Sequence, residues 1–560
     1  MANGMAIIGR RAAIAAFLAL SCIGAAVSCV PVADVPDQEP DLAAPSDEPA
    51  DLGVEDGGDL GDLADEAPPQ GMEPEGGALA VRLDSYLDDN ASRTGVPGVA
   101  VAVVDASGVR YLRTLGDCPD AEALFTIGSL SKSFTALAVM QLVEAGEVDL
   151  DAPASLYVPQ YGVPPEVTVR SLLNQTSGFG YYDALADARK GASFGTFSYA
   201  NANYDLLGRI VEAASGQEYA AYLRDHVLLP LGMDRSTADG EIAREKGMAP
   251  GHRGWFGVPV ADGFAHASSD EAWGAAPSGY VAASVSDMAR YLRMYLNGGR
   301  SDAGERVISP QGIESMFMDR VPDPEGDTYY GMGWTSFSWD DGETVLSHDG
   351  QVENYVASMC LLPERGLGVV VLGDASDHAG GDNLFFELAN GVVAAAVGAD
   401  PDPVDASWVR VAHARNDVLY ACVLLASAAP LGLLRRWTRR MRATCVSQAS
   451  PALRMRARRM LVARAVVLHV VAPLAVLALP ILRGVPWRDV LTFAPDVAAV
   501  LGASAALLAA GGAAKLAVAV RMGAGGFAPL RLRRRRADRA PGEPEAPRLR
   551  GANRAHAPRT

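Results

Sequence analysis

The chain has 560 residues and a formal net charge of −19 at pH 7, and its length exceeds that of one ordinary domain. Residues 401–560 hold 26 Lys+Arg and 8 Asp+Glu, a net charge of +18, which leaves −37 for residues 1–400. This asymmetry indicates two environments, and the acidic part lacks the basic face that nucleic-acid binding requires, so we expect no nucleic-acid partner. The six cysteines show neither Cys-x-x-Cys nor Cys/His ligand spacing, so we expect no metal and no other cofactor.

The N-terminal segment 1–30 has the pattern of an export signal. Two arginines precede an apolar run over residues 12–27, and the small residues 26–28 resemble a cleavage site. Cys29 is an alternative lipid-attachment point, and an uncleaved membrane anchor is a third interpretation. The sequence therefore predicts a signal peptide or an N-terminal anchor.

The next segment, residues 31–76, is rich in Asp, Glu, Pro and Gly and contains neither Lys nor Arg. Such a composition buries too little apolar surface to offset chain entropy, so we predict an acidic, disordered linker. A partner-binding acidic arm is the alternative. We predict that the folded domain covers residues 77–400.

Within residues 77–400, the hydrophobic periodicity predicts strands at both ends of the domain. Turn-forming residues at 105–108 separate the first two strands, and residues 150–290 are predicted to be mostly helix and loop. The predicted helices are 80–87, 130–147 and 384–397, and the predicted strands are 96–104, 109–115, 344–346, 356–362 and 368–372.

Ser129 and Lys132 lie three residues apart at the start of the predicted helix 130–147. Positions i and i+3 of a helix share one face, so the Lys132 amine can lie beside the Ser129 hydroxyl. A lysine in apolar surroundings can lose its proton and act as a base, which arginine cannot do. The chain has only four lysines, and Lys132 alone has a serine three residues earlier. A capped amphipathic helix with a solvated lysine is the alternative.

Two further elements follow along the chain. Tyr199 and Asn201 form a Tyr-x-Asn element, and His348 and Gly350 form a His-x-Gly element. The first is also typical of a loop-to-helix cap, since Asn favours that place. His348 can be protonated near neutrality and can then bind a carboxylate or shuttle a proton, although a lone histidine is more often structural. Gly350 has no side chain to block a substrate at a strand edge.

The ordered set Ser-x-x-Lys, Tyr-x-Asn and His-x-Gly resembles the class C β-lactamase-related family over about residues 77–395. The flanks Ser-Leu-Leu-Asn-Gln-Thr-Ser-Gly at 171–178 and Leu-Pro-Leu-Gly-Met at 229–233 share this resemblance. The family includes class C β-lactamases, D-alanyl-D-alanine carboxypeptidases, D-aminopeptidases and esterases. The resemblance implies an α+β fold with an antiparallel sheet flanked by helices, an all-helical lobe, and a site at their junction.

The resemblance also implies a role for each residue of the three elements. Ser129 would attack a carbonyl and become an acyl-ester, with Lys132 or Tyr199 as its base. The backbone N–H groups of Ser129 and Gln351 would form the oxyanion hole. The implied catalytic residues are Ser129, Lys132, Tyr199 and His348, and the implied substrate-binding residues are Asn201, Gly350 and Gln351.

Two positions depart from the family pattern. Asp349 stands where the family often has glycine, and its carboxylate is expected either to raise the pKa of His348 or to repel an anionic substrate. Gln175 stands where histidine is common, and we interpret this position as structural. Cys118 and Cys360 are the two cysteines of the predicted outer domain, and their pairing depends on whether their Cα atoms come within bridging range.

The C-terminal part contains three long apolar runs, and the last two reach the roughly 20 residues that span a bilayer. The first is near the lower limit and contains Pro430. We predict three transmembrane helices within residues 416–520, with buried core helices as the alternative. The runs are 418–434, 461–482 and 497–520.

Arginine distribution predicts the orientation of these helices. The loop 435–459 carries nine arginines and no acid, and the tail 521–560 carries eleven arginines and three acids, so the positive-inside rule places both inside. The catalytic domain then lies on the outer side of the cell membrane, and the Arg-rich tail is predicted to be disordered and cytoplasmic. Within the helices, we expect Lys515 to extend towards the inner surface and Asp496 to lie at the outer boundary.

The sequence and the resemblance together predict a membrane-tethered extracytoplasmic serine hydrolase. A peptidase or carboxypeptidase acting on D-amino-acid peptides of the cell wall is the first hypothesis. An esterase or a β-lactamase of the same fold is the second. A sensor that binds a ligand or is acylated by it without turnover belongs to another class. The expected partners are a small peptide or ester substrate and the membrane, and the sequence predicts no particular oligomeric state.

Overall fold

The computed structural model of the chain describes most of the predicted domain and of the C-terminal helices. The predicted export signal, almost all of the acidic linker and most of the Arg-rich tail lie outside the described residues and stay predictions. The described residues are 76–524 without 267–268, 325, 340–341 and 447–449.

An eight-stranded antiparallel sheet is the centre of the domain predicted over residues 77–400. Its strand order is β2-β1-β12-β11-β10-β9-β8-β7, so the first strand pair of the domain joins the last strands of the domain in one sheet. Two short sheets, β13-β4-β5 and β3-β6, lie beside it. The strands are β1 (Gly98–Asp105), β2 (Gly108–Gly116), β3 (Phe125–Thr126), β4 (His252–Trp255), β5 (Val258–Val260), β6 (Ala282–Ala283), β7 (Val321–Pro322), β8 (Tyr329–Gly331), β9 (Trp334–Ser338), β10 (Thr344–Gln351), β11 (Val356–Leu362), β12 (Leu367–Gly373) and β13 (Ala375–Ser376).

Helices cover both faces of the sheet, and the segment between β2 and β7 consists mainly of helices and loops. A π-helical turn, Val467–Val471, joins α12 to α13, so these two helices run on as one. The helices are α1 (Gly76–Asn90), α2 (Ser131–Glu144), α3 (Val169–Leu173), α4 (Asn201–Ser215), α5 (Tyr219–Leu223), α6 (Gly240–Lys246), α7 (Val285–Leu296), α8 (Pro310–Met318), α9 (Gly381–Ala396), α10 (Ser407–Gly432), α11 (Leu434–Val446), α12 (Pro451–Val466), α13 (Ala472–Leu482), α14 (Trp487–Phe493) and α15 (Pro495–Ala524).

Strand alternation divides the interior of the domain into two cores. In β1, Ala102 packs into the core shared with α2, α4 and α7, whereas Val101 packs into the core shared with α1 and α9. Cys118 belongs to the first core and Cys360 to the second, and both thiols are free. The sheet therefore lies between them and keeps them from forming a disulfide.

The predicted α+β architecture is confirmed, including the strand pair at the start of the domain and the three strands near its end. The hairpin built from β8 and β9 was not predicted, because these strands are only three and five residues long and are joined at a Gly-Met-Gly turn. This hairpin matters for the site, because Gly333 lies against the start of α2: a Cβ there would stand 2.6 Å from the backbone nitrogen of Ser133.

By length and composition, two C-terminal helical segments could cross a membrane: Pro451–Leu482 and Pro495–Arg521. A third span results if Ser407–Gly432 and Leu434–Ala443, which meet at a bend of 40°, are counted as one. These segments contain the three predicted apolar runs. The bend follows Pro430. The backbone nitrogen of proline carries no hydrogen, so it cannot donate the regular helical hydrogen bond.

Lys515 was expected to extend towards the inner surface, and this stays a prediction. Its side chain is buried between helices, and Nζ lies 2.7 Å from His469 Nε2. His469 Nδ1 contacts the carbonyl oxygen of Leu508, which leaves Nε2 free to accept from the amine. Asp496 lies at the start of α15, where its carboxylate accepts from the Val497 backbone N–H at 2.7 Å, and its place relative to a membrane stays a prediction.

Candidate active site

A tight turn places Ser129 against the end of β10. Gly128 has φ +57°, and a Cβ at this position would stand 2.5 Å from the backbone nitrogen of Gln351. A Cβ at Gly350 would collide with the carbonyl oxygen of Ile127. Two glycines therefore allow the turn and the strand to approach backbone to backbone, which brings the Gln351 N–H beside the serine. Ser129 itself is partly exposed, so solvent and small molecules can reach it.

Lys132 lies in the first turn of α2, three residues after Ser129, and its amine is surrounded by oxygen acceptors. Nζ is 3.0 Å from Ser129 Oγ, 2.7 Å from Asn201 Oδ1 and 2.7 Å from the carbonyl oxygen of Ser278. The side chain is fully buried, and this desolvation lowers the pKa of Lys132 to about 7, against the opposite effect of the Asp205 carboxylate. A neutral amine is therefore accessible near neutral pH, next to the serine hydroxyl.

Tyr199 lies on the other side of the same hydroxyl. Lys132 Nζ lies 4.7 Å from the centroid of its ring, and the Ser129 hydroxyl is near enough to lower the pKa of the phenol in part. Desolvation, and next the neighbouring Tyr330 hydroxyl, raise the pKa of Tyr199 well above its usual value. The phenol is therefore protonated at neutral pH and can donate a proton, whereas the amine is the group that can accept one.

Asn201 begins helix α4, and the loop before it is held by Gln175. Gln175 has φ +57°, and its side-chain oxygen accepts from the Ala200 backbone N–H at 3.0 Å. The same oxygen accepts from the Asn203 amide. These bonds support the interpretation of Gln175 as a structural residue, since it holds the backbone that presents Tyr199 and Asn201.

His348 lies in β10 and is buried. Its Nδ1 lies 2.7 Å from the carbonyl oxygen of Asp349, and its Nε2 lies 3.3 Å from the Tyr330 hydroxyl. A ring that donates from Nδ1 and accepts at Nε2 is neutral. Burial, and next the Lys132 cation, lower the pKa of His348 to about 3.

The expectation that Asp349 keeps His348 charged is therefore wrong. Successive residues of a strand point to opposite faces of the sheet, and the Asp349 side chain is exposed on the face away from His348. The Gln351 side chain also points to that face, where it contacts Asp382. What Gln351 contributes to the Ser129 side is its backbone N–H, as the resemblance implied.

The structure thus gathers all seven predicted site residues at the junction of the sheet and the helical segment. Two groups next to them were not predicted: the carbonyl oxygen of Ser278, which accepts from Lys132, and the Tyr330 hydroxyl, which faces His348. A backbone carbonyl leaves no trace in residue type. Tyr330 precedes the Gly-Met-Gly turn, and that pattern signals a tight hairpin whose residues lie close to another backbone.

Comparisons with known proteins identify the family. The Beta-lactamase family matches residues 83–383, which is more than half of the chain. Penicillin-binding protein 4 of Amycolatopsis lactamdurans is 30% identical over 368 residues, which cover 57% of this chain and 94% of that protein. Protein flp of Staphylococcus aureus strain MW2 is 25% identical, and the match covers 53% of this chain and 63% of that protein. The chain thus spans just under two thirds of the length of flp.

A solved structure is similar as well. The octameric penicillin-binding protein homologue from Pyrococcus abyssi is 27% identical, with a TM-score of 0.48 over 58% of this chain and 78% of that one. From the matched family, the chain belongs to the Beta-lactamase family and has the β-lactamase/penicillin-binding type of serine hydrolase fold. This confirms the resemblance and the fold class that the three sequence elements predicted.

Proposed function

We propose that this protein is a membrane-tethered serine hydrolase that forms an acyl-enzyme at Ser129, with its catalytic domain outside the cell membrane. The observation that carries the proposal is the fully buried Lys132, whose amine lies 3.0 Å from the Ser129 hydroxyl. Its three hydrogen-bond acceptors are neutral oxygens, and the Asp205 carboxylate only partly offsets the cost of burying the charged amine. Such surroundings suit an amine that gains and loses a proton.

In the proposed acylation step, Ser129 Oγ bonds to the substrate carbonyl carbon while its proton passes to Lys132 Nζ. The carbonyl oxygen becomes an oxyanion, which the backbone N–H groups of Ser129 and Gln351 stabilise. When the carbon–leaving-group bond breaks, the leaving group takes a proton from Tyr199 or from the Lys132 ammonium. A water then attacks the carbonyl carbon of the ester and gives a proton to Lys132 or Tyr199. The bond from that carbon to Ser129 Oγ breaks, and Oγ takes the proton back.

We propose small peptides with D-amino acids as the substrate class, acted on by a peptidase or carboxypeptidase at the cell wall, with esters or β-lactams as alternatives. The name of the relative from Amycolatopsis supports an amide or lactam carbonyl. The lowered pKa of His348 leaves its ring neutral. The ring therefore lacks the positive charge that would attract a substrate carboxylate. A neutral imidazole can still hydrogen-bond to a substrate carboxylate, but it adds no charge to that contact.

The outer position of the catalytic domain is part of the proposal and rests on the arginine distribution around the apolar helices. A sensor that is acylated without turnover is the second candidate. The arginines of the loop and tail suffice for topology and for contact with anionic lipids, which gives that candidate no separate support.

The test uses the full-length protein in detergent with D-amino-acid peptides, esters and a penicillin, and detects the acyl-enzyme by intact mass. Ser129→Ala should abolish acylation. Lys132→Arg should be as damaging as Lys132→Ala, a loss of about 10²–10⁴-fold, because arginine retains the charge but not the basicity. Lys190→Arg is the matched control, since its amine lies 3.7 Å from Glu166 and away from Ser129.

Acylation that survives Ser129→Ala would exclude this residue as the nucleophile. Normal acylation of Lys132→Arg would exclude the amine as the base. One acyl group per chain with no product release beyond it would favour the sensor over the hydrolase.

A further inference from the structure

The short helix α14, Trp487–Phe493, joins the last two apolar segments, but its contacts are with the catalytic domain. The Arg488 guanidinium donates to the carbonyl oxygen of Tyr182 and, at 3.0 Å, to that of Glu271. From the opposite side, Arg253 in β4 donates to two carbonyl oxygens of the helix, at 2.9 and 3.0 Å. Arginines of both regions therefore fasten this helix to the catalytic domain.

Phe493 lies between the two walls of the active site. Its ring is in edge contact with Trp273 at 5.1 Å between centroids and with His378 at 4.8 Å. The glycine after Trp273 adjoins Asn201, because a Cβ added there would stand 3.3 Å from Asn201 Nδ2. His378 Nδ1 lies 3.3 Å from the side-chain nitrogen of Gln351. One phenyl ring thus lies between Trp273, whose neighbour Gly274 adjoins Asn201, and His378, which contacts the Gln351 side chain on the far side of β10 from Ser129. We call these two sides the Asn201 wall and the Gln351 wall.

Asp489 of this helix has a buried carboxylate oxygen that no described residue hydrogen-bonds. Asp489 is 5% exposed, and its Oδ1 lies 3.4 Å from Arg488 Nε. Its Oδ2 is buried without a hydrogen bond to any residue that the structure describes. Such a buried acceptor is costly unless a donor reaches it, and a substrate amide N–H passing beneath the helix is a donor of the required type.

We propose that Trp487–Phe493 is a roof over the catalytic cleft and that it restricts the substrates of Ser129 to narrow chains without bulky side groups. Ser129 stays partly exposed, so the roof narrows the cleft and does not seal it. A chain that runs between the Asn201 wall and the Gln351 wall has to pass the Phe493 ring. The inference rests on the proposed function, because it concerns which acyl groups reach the Ser129 hydroxyl.

Two esters with one leaving group test the roof: p-nitrophenyl acetate and p-nitrophenyl diphenylacetate, given to the full-length protein in detergent. The release of p-nitrophenol measures acylation. Phe493→Ala should raise the rate with the bulky ester by about tenfold or more, and the rate with acetate by less than about threefold, as expected when a steric barrier is removed. Arg488→Ala should act in the same direction, because it loosens the other end of the roof.

Leu491→Ala is the matched control, since the Leu491 side chain lies on the same helix but is 57% exposed. It should leave both rates unchanged. If Phe493→Ala changed the rate of p-nitrophenol release equally with both esters, or with neither, the proposal of a roof would be wrong. If neither wild type nor Phe493→Ala released p-nitrophenol above the rate of Ser129→Ala, the proposed function itself would fail, and the roof would fail with it.

Discussion

The folded domain and the C-terminal helices differ in the exposure of their apolar side chains. In the domain, the leucines and valines of β1 and β11 point into two cores and are almost entirely buried. In the helices, residues of the same types face outward: Leu425, Ile481 and Leu516 are between 65% and 71% exposed. A surface of this kind is stable only where it is covered, and a bilayer is the surrounding that the length of these helices fits.

The two regions also bury a lysine in different ways. Lys132 has three oxygen acceptors, supplied by a turn, a helix and a loop that the fold brings together. Lys515 contacts one acceptor, the imidazole of His469 on the preceding helix. The contrast shows that the domain places three oxygen acceptors around its amine, whereas the amine of Lys515 has one imidazole acceptor and lies 6.0 Å from the Trp437 ring.

The largest effect is expected where the domain packs backbone against backbone. Gly128→Ala places a Cβ into the end of β10, so the oxyanion site has to open. We expect acylation of Ser129 to fall by about 10²–10³-fold, as when an oxyanion donor is lost. The rate of acyl-enzyme formation measures this.

Gly146→Ala is the control for Gly128→Ala, because Gly146 has φ +76° but no atom within 4 Å of an added Cβ. It should cost about 1 kcal/mol of stability and leave acylation intact. Similar acylation rates in the two variants would show that close approach to β10 is unimportant.

An intermediate effect should separate the two regions directly. Leu474 in α13 and Leu156 in the catalytic domain are 62% and 69% exposed. Leu474→Arg should weaken membrane insertion by about 2.5–3.5 kcal/mol, whereas Leu156→Arg should change stability by no more than about 0.5 kcal/mol. Extraction of each variant from membranes with alkaline carbonate measures the first, and thermal unfolding measures the second. Equal behaviour of the two variants would remove the reason to place α13 in a bilayer.

The smallest effect concerns pH. The pKa of Lys132 is lowered to about 7 and its neutral form is the proposed base, so acylation should rise with pH by about tenfold between pH 6 and pH 8 and then level off. The pKa of His348 is lowered to about 3, so its ring stays neutral over that range. The midpoint should therefore be unaffected by His348→Gln. A midpoint that moves with this substitution would assign the titration to the histidine.

Local patterns of the sequence were enough to find the site. The three-residue spacing of Ser129 and Lys132 fixes their common face, because helix geometry depends only on neighbours along the chain. The apolar runs likewise predict the C-terminal helices, whereas the prediction that Asp349 acts on His348 was wrong because it neglected the alternation of side chains in β10. These features follow from patterns that span about 20 residues or fewer, so they can be identified without knowing the tertiary structure.

Tertiary structure alone decides four features: the charge of His348, the free state of Cys118 and Cys360, the partner of Lys515, and the contact of the helix Trp487–Phe493 with the domain. Each depends on groups far apart in the chain: Tyr330 against His348, a whole sheet between two thiols, and Phe493 between Trp273 and His378. Desolvation and contact are properties of the packed neighbourhood, and residue types along the chain do not say which neighbourhood a side chain will enter.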